Sequence, residues 1–157
     1  MMSGPGRKAY QALFPGTFSG RRPRAILRKG LMVAALTPKS LAKACSDCAI
    51  DKKAEDVIII DLRKLSAPTD YFVIASGSGE RHVKAIAEGI VEEIAKRGVR
   101  AWHVEGYSAR KWILIDYVNV VVHIFNSETR RFYSLETLWG DAPSQKVRPR
   151  TRRPRKA

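Results

Sequence analysis

Two cysteines, three histidines and one glycine-serine turn are the residues here whose types and spacing could do chemistry. Cys45 and Cys48 form a C-x-x-C pair, the spacing of a zinc half-site or a redox dithiol. No second ligand pair accompanies them. On a helix, both fall on the apolar stripe of Leu41, Ala44 and Ala49, so they read as small core residues. Ser76-Gly77-Ser78-Gly79 precedes a helical pattern and could cradle a phosphate. It lacks the lysine of a Walker loop and the three-glycine dinucleotide fingerprint. A Gly-Ser turn also serves nucleotidyl transfer, where a paired Asp-x-Asp on a following strand holds the metal. Glu88, Glu92 and Glu93 instead fall on the helix, and the later strand offers Asp116 alone. One carboxylate supports two metal ions poorly. His82, His103 and His123 form no His-x-x-x-His pair and join no nucleophile motif. These residues carry no enzyme, metal or cofactor signature.

The elements that must position these groups alternate between helix and strand. The spacing predicts a helix over Pro38–Lys52, a buried strand at Val57–Asp61, a turn at 66–69 and a strand at Tyr71–Ala75. A second helix follows, with Ser78 as its N-cap, Val83, Ile86, Ala87, Ile90 and Ile94 as its stripe, and Gly98 as its stop. Ala101–Val104, Trp112–Tyr117 and Val120–Phe125 read as strands, and a last helical segment lies within Glu128–Trp139. The last two strands are too close for anything but an antiparallel hairpin. The fold class is therefore α/β: one domain, a mixed sheet and flanking helices.

The chain carries 29 Lys and Arg against 15 Asp and Glu, a net +14, but the surplus is not spread evenly. Residues 1–30 hold seven bases and no acid, and residues 142–157 hold seven more and no acid. The remaining 15 bases balance all 15 acids. A dense basic face on the domain is thereby disfavoured. Three segments follow: a basic Gly- and Pro-containing arm over 1–37, the domain over 38–142, and an Arg/Pro-rich tail over 143–157 that is expected to be disordered. The arm is read as flexible. A transit segment, or a start misassigned upstream of Met32, are the alternatives. No apolar run approaches the length of a membrane span, and the cysteine usage fits a reducing cytosol.

The hairpin is the most informative feature. A two-residue loop at Val118-Asn119 sets Ile113 opposite Ile124, Ile115 opposite Val122 and Tyr117 opposite Val120. That face is apolar and must pack on the helices. The other face holds Trp112, Leu114, Asp116, Val121, His123 and Phe125, large apolar groups with an acid and an imidazole. Such a mixture suits a protein-binding patch. The alternative is a second core layer in which Asp116 and His123 pair with each other or with backbone.

Several separate runs carry a resemblance. Thr69-Asp70-Tyr71-Phe72-Val73-Ile74-Ala75-Ser76-Gly77 and Arg81-His82-Val83-Lys84-Ala85-Ile86-Ala87 come first. Val104-Glu105-Gly106 and both hairpin strands follow, then Arg130-Arg131-Phe132-Tyr133-Ser134-Leu135-Glu136 and Leu138-Trp139-Gly140-Asp141-Ala142. In order and spacing they resemble the ribosomal silencing factor family (RsfS, or Iojap) over roughly residues 38–142. The resemblance implies a nucleotidyltransferase-like fold without the catalytic carboxylates. It implies no enzyme activity and no cofactor. It also implies a cytoplasmic protein that binds the large ribosomal subunit through ribosomal protein RplN. That binding would block joining of the small subunit and repress translation under nutrient limitation. Carried over by motif, the contact residues are Trp112, Leu114, Asp116 and His123, and replacing Trp112 with alanine should weaken binding while leaving the fold intact. Val118-Asn119 stands where many members have Gly followed by Asp, and valine resists a left-handed turn.

Two rivals remain open. One is a nucleotide-binding enzyme resting on the Gly77-Ser78 turn. The other is a nucleic-acid binder acting through its tails, in which Arg148, Arg150, Arg152, Arg153 and Arg155 would contact RNA phosphates without reading sequence. Whether the domain forms a homodimer stays open.

Overall fold

The computed structural model describes residues 36–65 and 67–149. In chain order the elements are α1 (Pro38–Asp51), β1 (Glu55–Asp61), β2 (Tyr71–Gly77), α2 (Glu80–Lys96), β3 (His103–Glu105), β4 (Trp112–Asp116) and β5 (Val120–Asn126). Then come α3 (Ser127–Tyr133), α4 (Leu135–Leu138) and β6 (Ser144–Lys146). The sheet order is β3-β4-β5-β2-β1-β6. Only β2 and β5 run parallel, and the other pairs are antiparallel.

Local chemistry sets the helix ends. The Thr37 hydroxyl accepts the Ser40 N–H at 3.1 Å, and Pro38 opens α1 where its missing N–H costs nothing. Gly79, not Ser78, is the N-cap of α2. No side chain caps the helix; His82 Nδ1 instead accepts the N–H of Ser78, just before the cap, at 2.9 Å. His82 Nε2 in turn meets the Lys52 carbonyl at 2.7 Å, which ties α2 to the end of α1. Gly77 is required by space: a Cβ there would lie 2.9 Å from the Val83 nitrogen. The Gly-Ser turn is thus explained by close strand-to-helix packing.

Helices α1 and α2 cover one face of the sheet. Leu41, Cys45 and Ala49 from α1 and Val83, Ile86, Ile90 and Ile94 from α2 pack on Val73, Ile113, Ile115, Val122 and Ile124. The opposite face is covered too. Leu135 and Ala142 join Ile58, Ile60, Phe72, Leu114, Val121 and Phe125 in a second buried layer, with Tyr133 and Trp139 packed against it. Ser134, in the left-handed region at φ 43°, separates α3 from α4 and turns the chain back over the sheet. The segment expected to be tail from residue 143 begins inside the fold: Ser144–Lys146 pair with Ile58–Ile60, and Val147 packs on the helix-side core. Of the arm over 1–37, residues 1–35 lie outside the described residues.

The hairpin register is the one expected, with Ile113 opposite Ile124 and Ile115 opposite Val122. Its loop is tight. The Tyr117 N–H donates to the Val120 carbonyl at 2.8 Å, and the Asn119 N–H donates to the Tyr117 carbonyl at 2.9 Å. Val118, the central residue of this γ-turn, sits at φ 74°. Two groups hold it there: Asp116 Oδ1 accepts the Val118 N–H at 2.7 Å, and the Thr69 hydroxyl donates to the Val118 carbonyl at 3.1 Å. A β-branched residue in this region costs roughly 1–2 kcal/mol, and glycine recovers most of that against its own chain entropy. Val118→Gly should therefore raise stability by about 1 kcal/mol in urea unfolding. A loss instead would mean that the valine side chain contributes packing worth more than the strain.

Candidate partner-binding site

Trp112, Leu114, Asp116 and His123 do share one face of the hairpin, as their alternation requires, but that face is closed. Their exposures are 7%, 0%, 2% and 0%. The open patch expected from the sequence is corrected to a second core layer, because α4 and the residues after it supply Leu135, Trp139 and Ala142 as a roof.

The polar members of this layer are satisfied internally. The Trp112 indole N–H donates to His123 Nδ1 at 3.1 Å. In a neutral ring that leaves the proton on Nε2. Complete burial pushes the His123 pKa down to about 3, so the ring is uncharged at neutral pH. The Phe72 ring meets the imidazole edge-on at 4.6 Å. The Asp116 carboxylate is engaged with the turn backbone, as described above.

From this layer a row of rings runs outward. Phe125 lies 4.7 Å from Trp112, Trp112 lies 4.8 Å from Tyr133, and Tyr133 lies 5.0 Å from Phe132. Phe132 is 80% exposed, far more than any other large apolar side chain described. It borders a cleft of about 450 Å³ that Trp112, Tyr133, Lys111 and Thr129 also line.

The helix that carries Phe132 is held by polar contacts together with the packing of Tyr133. No residue of α3 is buried. Asn126 caps it by accepting the Thr129 N–H at 2.8 Å. Arg130 anchors it, donating to Glu136 Oε1 at 2.7 Å, to the Asp56 carbonyl at 2.8 Å and to the Ser76 hydroxyl at 2.7 Å. An apolar side chain held outward on a helix anchored this way is what a partner pocket accepts. Trp112 thus reaches the cleft, whereas Leu114, Asp116 and His123 support it from beneath. Phe132, Tyr133 and Lys111 were not singled out from the sequence. The signal available was the step of about 100° between adjacent helical residues, which turns Phe132 out when Tyr133 faces in.

The remaining candidates take other places. Cys45 and Cys48 are both buried free thiols. Burial pushes both upward in pKa, away from the thiolate that metal binding or redox exchange needs. Among the described residues no group of three or more His, Cys, Asp and Glu is placed to hold a metal ion. Arg148 is exposed just past β6, and Arg150, Arg152, Arg153 and Arg155 lie outside the described residues.

Comparison with known proteins shows the family. Residues 35–157 match the family model described as "Ribosomal silencing factor during starvation". The ribosomal silencing factor RsfS of Bacillus subtilis is 38% identical over 108 residues, which is 69% of this chain and 92% of that protein. The mouse protein named "Mitochondrial assembly of ribosomal large subunit protein 1" is 34% identical over 91 residues, 56% of this chain and 40% of its own length. A crystal structure of a Chromobacterium violaceum protein superposes with a TM-score of 0.65 at 28% identity, covering 74% of this chain and 97% of that one. With motifs, fold and relatives in agreement, the chain belongs to the ribosomal silencing factor family, a family of regulatory factors and not of enzymes.

Proposed function

We propose that this protein silences ribosomes by binding the large subunit through ribosomal protein RplN and so blocking the small subunit from joining. Translation would thereby fall when nutrients are short. The observation that supports this reading best is the exposed Phe132 on the rim of the aromatic cleft, in a chain of this family. Phe132 and the Trp112–Tyr133 wall would fill a pocket on the partner, and Leu114, Asp116 and His123 would keep that wall in place. The name of the mouse relative, which speaks of the ribosomal large subunit, favours the same subunit. The basic tail, with Arg148, Arg150, Arg152, Arg153 and Arg155, would add a grip on nearby ribosomal RNA that does not depend on sequence. Within this reading the protein works in the cytoplasm, alongside the ribosomes. Among the described residues no helix is long and apolar enough to cross a membrane.

The test is subunit association. Purified large and small subunits are mixed in magnesium, with and without the protein, and separated on a sucrose gradient. The expected result is a shift from joined ribosomes to free subunits, with the protein sedimenting beside the large one. Full joining in the presence of saturating protein would defeat the proposal.

A further inference from the structure

The two basic extensions, far apart in sequence, are attached at one edge of the fold. Thr37, the second described residue, and Pro143–Gln145, at the start of the last strand, line the same groove of about 640 Å³. Leu36 and Val147 both pack against the core beside it. The groove is charged. Lys39, Lys43 and Arg63 line it, with Asp61 as the acidic member.

Several observations bear on what the groove could hold. The first turn of α1 contains no acidic residue and does contain Lys39. Helices ordinarily place acids at that end, because the unpaired backbone N–H groups leave it positive. Arg63 is fixed in place: its Nε donates to Asp61 Oδ1 at 3.0 Å and its Nη2 to Oδ2 at 2.7 Å. That fork sets the guanidinium over the Tyr71 ring, 5.2 Å from its centre. Tyr71 also lines the groove and is 4% exposed, yet its hydroxyl has no hydrogen-bond partner among the described residues. A buried donor without an acceptor is uncommon in folded proteins. An anion entering beside Arg63 would supply one.

We infer that this groove binds the phosphodiester backbone of RNA. RNA is favoured over an acidic peptide because Thr37 and Pro143–Gln145, near the two ends of the described chain, line this groove, and the sequence outside the described ends carries twelve bases and no acid. The inference deepens the RNA contact proposed for the tail. It is independent of the aromatic cleft, which is lined by none of these residues.

The test uses the full-length protein and a fluorescein-labelled 20-nucleotide oligouridine, followed by anisotropy across a salt series. Lys39→Gln/Lys43→Gln should bind about fivefold more weakly. Its log–log salt slope should be smaller by about 1.4, two phosphate contacts for a single strand. Lys84→Gln/Lys96→Gln, the same charge loss on the exposed side of α2, should bind like the wild type. Tyr71→Phe should bind about threefold more weakly with an unchanged or higher melting point, since it removes an unpaired hydroxyl and little else. Three results would overturn the inference: a groove variant that matches the α2 control, an unaltered affinity in Tyr71→Phe, or displacement of the RNA by polyglutamate of equal charge at equal concentration. Loss of subunit binding with RNA affinity intact would instead count against the cleft alone.

Discussion

Phe132→Asp should lower affinity for the large ribosomal subunit by roughly thirtyfold or more, the loss of about 2 kcal/mol or more that marks an anchoring aromatic. Its melting point should stay within about 2 °C of the wild type. The two expectations separate because Phe132 is 80% exposed, whereas the packing of α3 on the core runs through Tyr133. Replacements at such positions ordinarily change stability by less than about 0.5 kcal/mol. The aspartate would put a charge into an apolar pocket on the partner, where desolvation opposes it. Trp112→Ala is the weaker experiment, and the expectation that it spares the fold is corrected by the structure. Trp112 is 7% exposed, touches Phe125 and Tyr133, and donates to His123. Emptying that site should cost about 3–5 kcal/mol, so any lost binding would be confounded by unfolding. Co-sedimentation with purified large subunits, alongside a thermal melt, checks Phe132→Asp. Undiminished co-sedimentation would move the docking surface elsewhere.

The second large effect is acid sensitivity. In the unfolded chain a histidine takes up a proton near pH 6.5, whereas His123 in the fold resists protonation down to about 3. Between these values the unfolded state binds the extra proton. Stability therefore falls as pH drops below about 6.5, by about 1.4 kcal/mol per pH unit at most, and the effect is absent above it. Carboxylates act lower. Asp61, held down first by its hydrogen bonds from Arg63, loses its contribution only as pH falls through the acid range below the ordinary carboxylate value. The interval from pH 6.5 to 5 thus separates His123 from the carboxylates. Urea midpoints across that interval should drop steadily in the wild type. In His123→Gln, whose amide oxygen can still accept the Trp112 N–H, they should stay nearly level. A wild-type slope retained in that variant would assign the proton uptake to another group.

What the sequence made legible is the regular part. Leu41, Ala44, Cys45, Cys48 and Ala49 recur at helical spacing, and α1 runs within one residue of the expected span. The hairpin pairing followed from alternation alone, and so did the split of its two faces. What could not be read is what closes the second face. Its roof comes from Leu135, Trp139 and Ala142, in a segment where α4 has four residues, too few to show a period. The break before it is a left-handed serine, a position with no residue signature. β6 was hidden for a different reason. Ser144, Gln145 and Lys146 have no strand preference, and they extend because β1 offers an unpaired edge. The strained Val118 turn was foreseen as a difficulty, but its remedy, Asp116 and Thr69 acting from two sides, lies in contacts that only folding brings together.

The pairing of the first strand with the last has a consequence for when the protein can act. The Asp61 N–H donates to the Pro143 carbonyl and the Val147 N–H to the Val57 carbonyl. During synthesis β1 therefore waits with an open edge until nearly all the described chain has been made. The groove lacks a wall until Ser144 arrives, and the aromatic cleft lacks Phe132 and Tyr133 until α3 does. A nascent chain therefore completes neither surface until these late segments have been made.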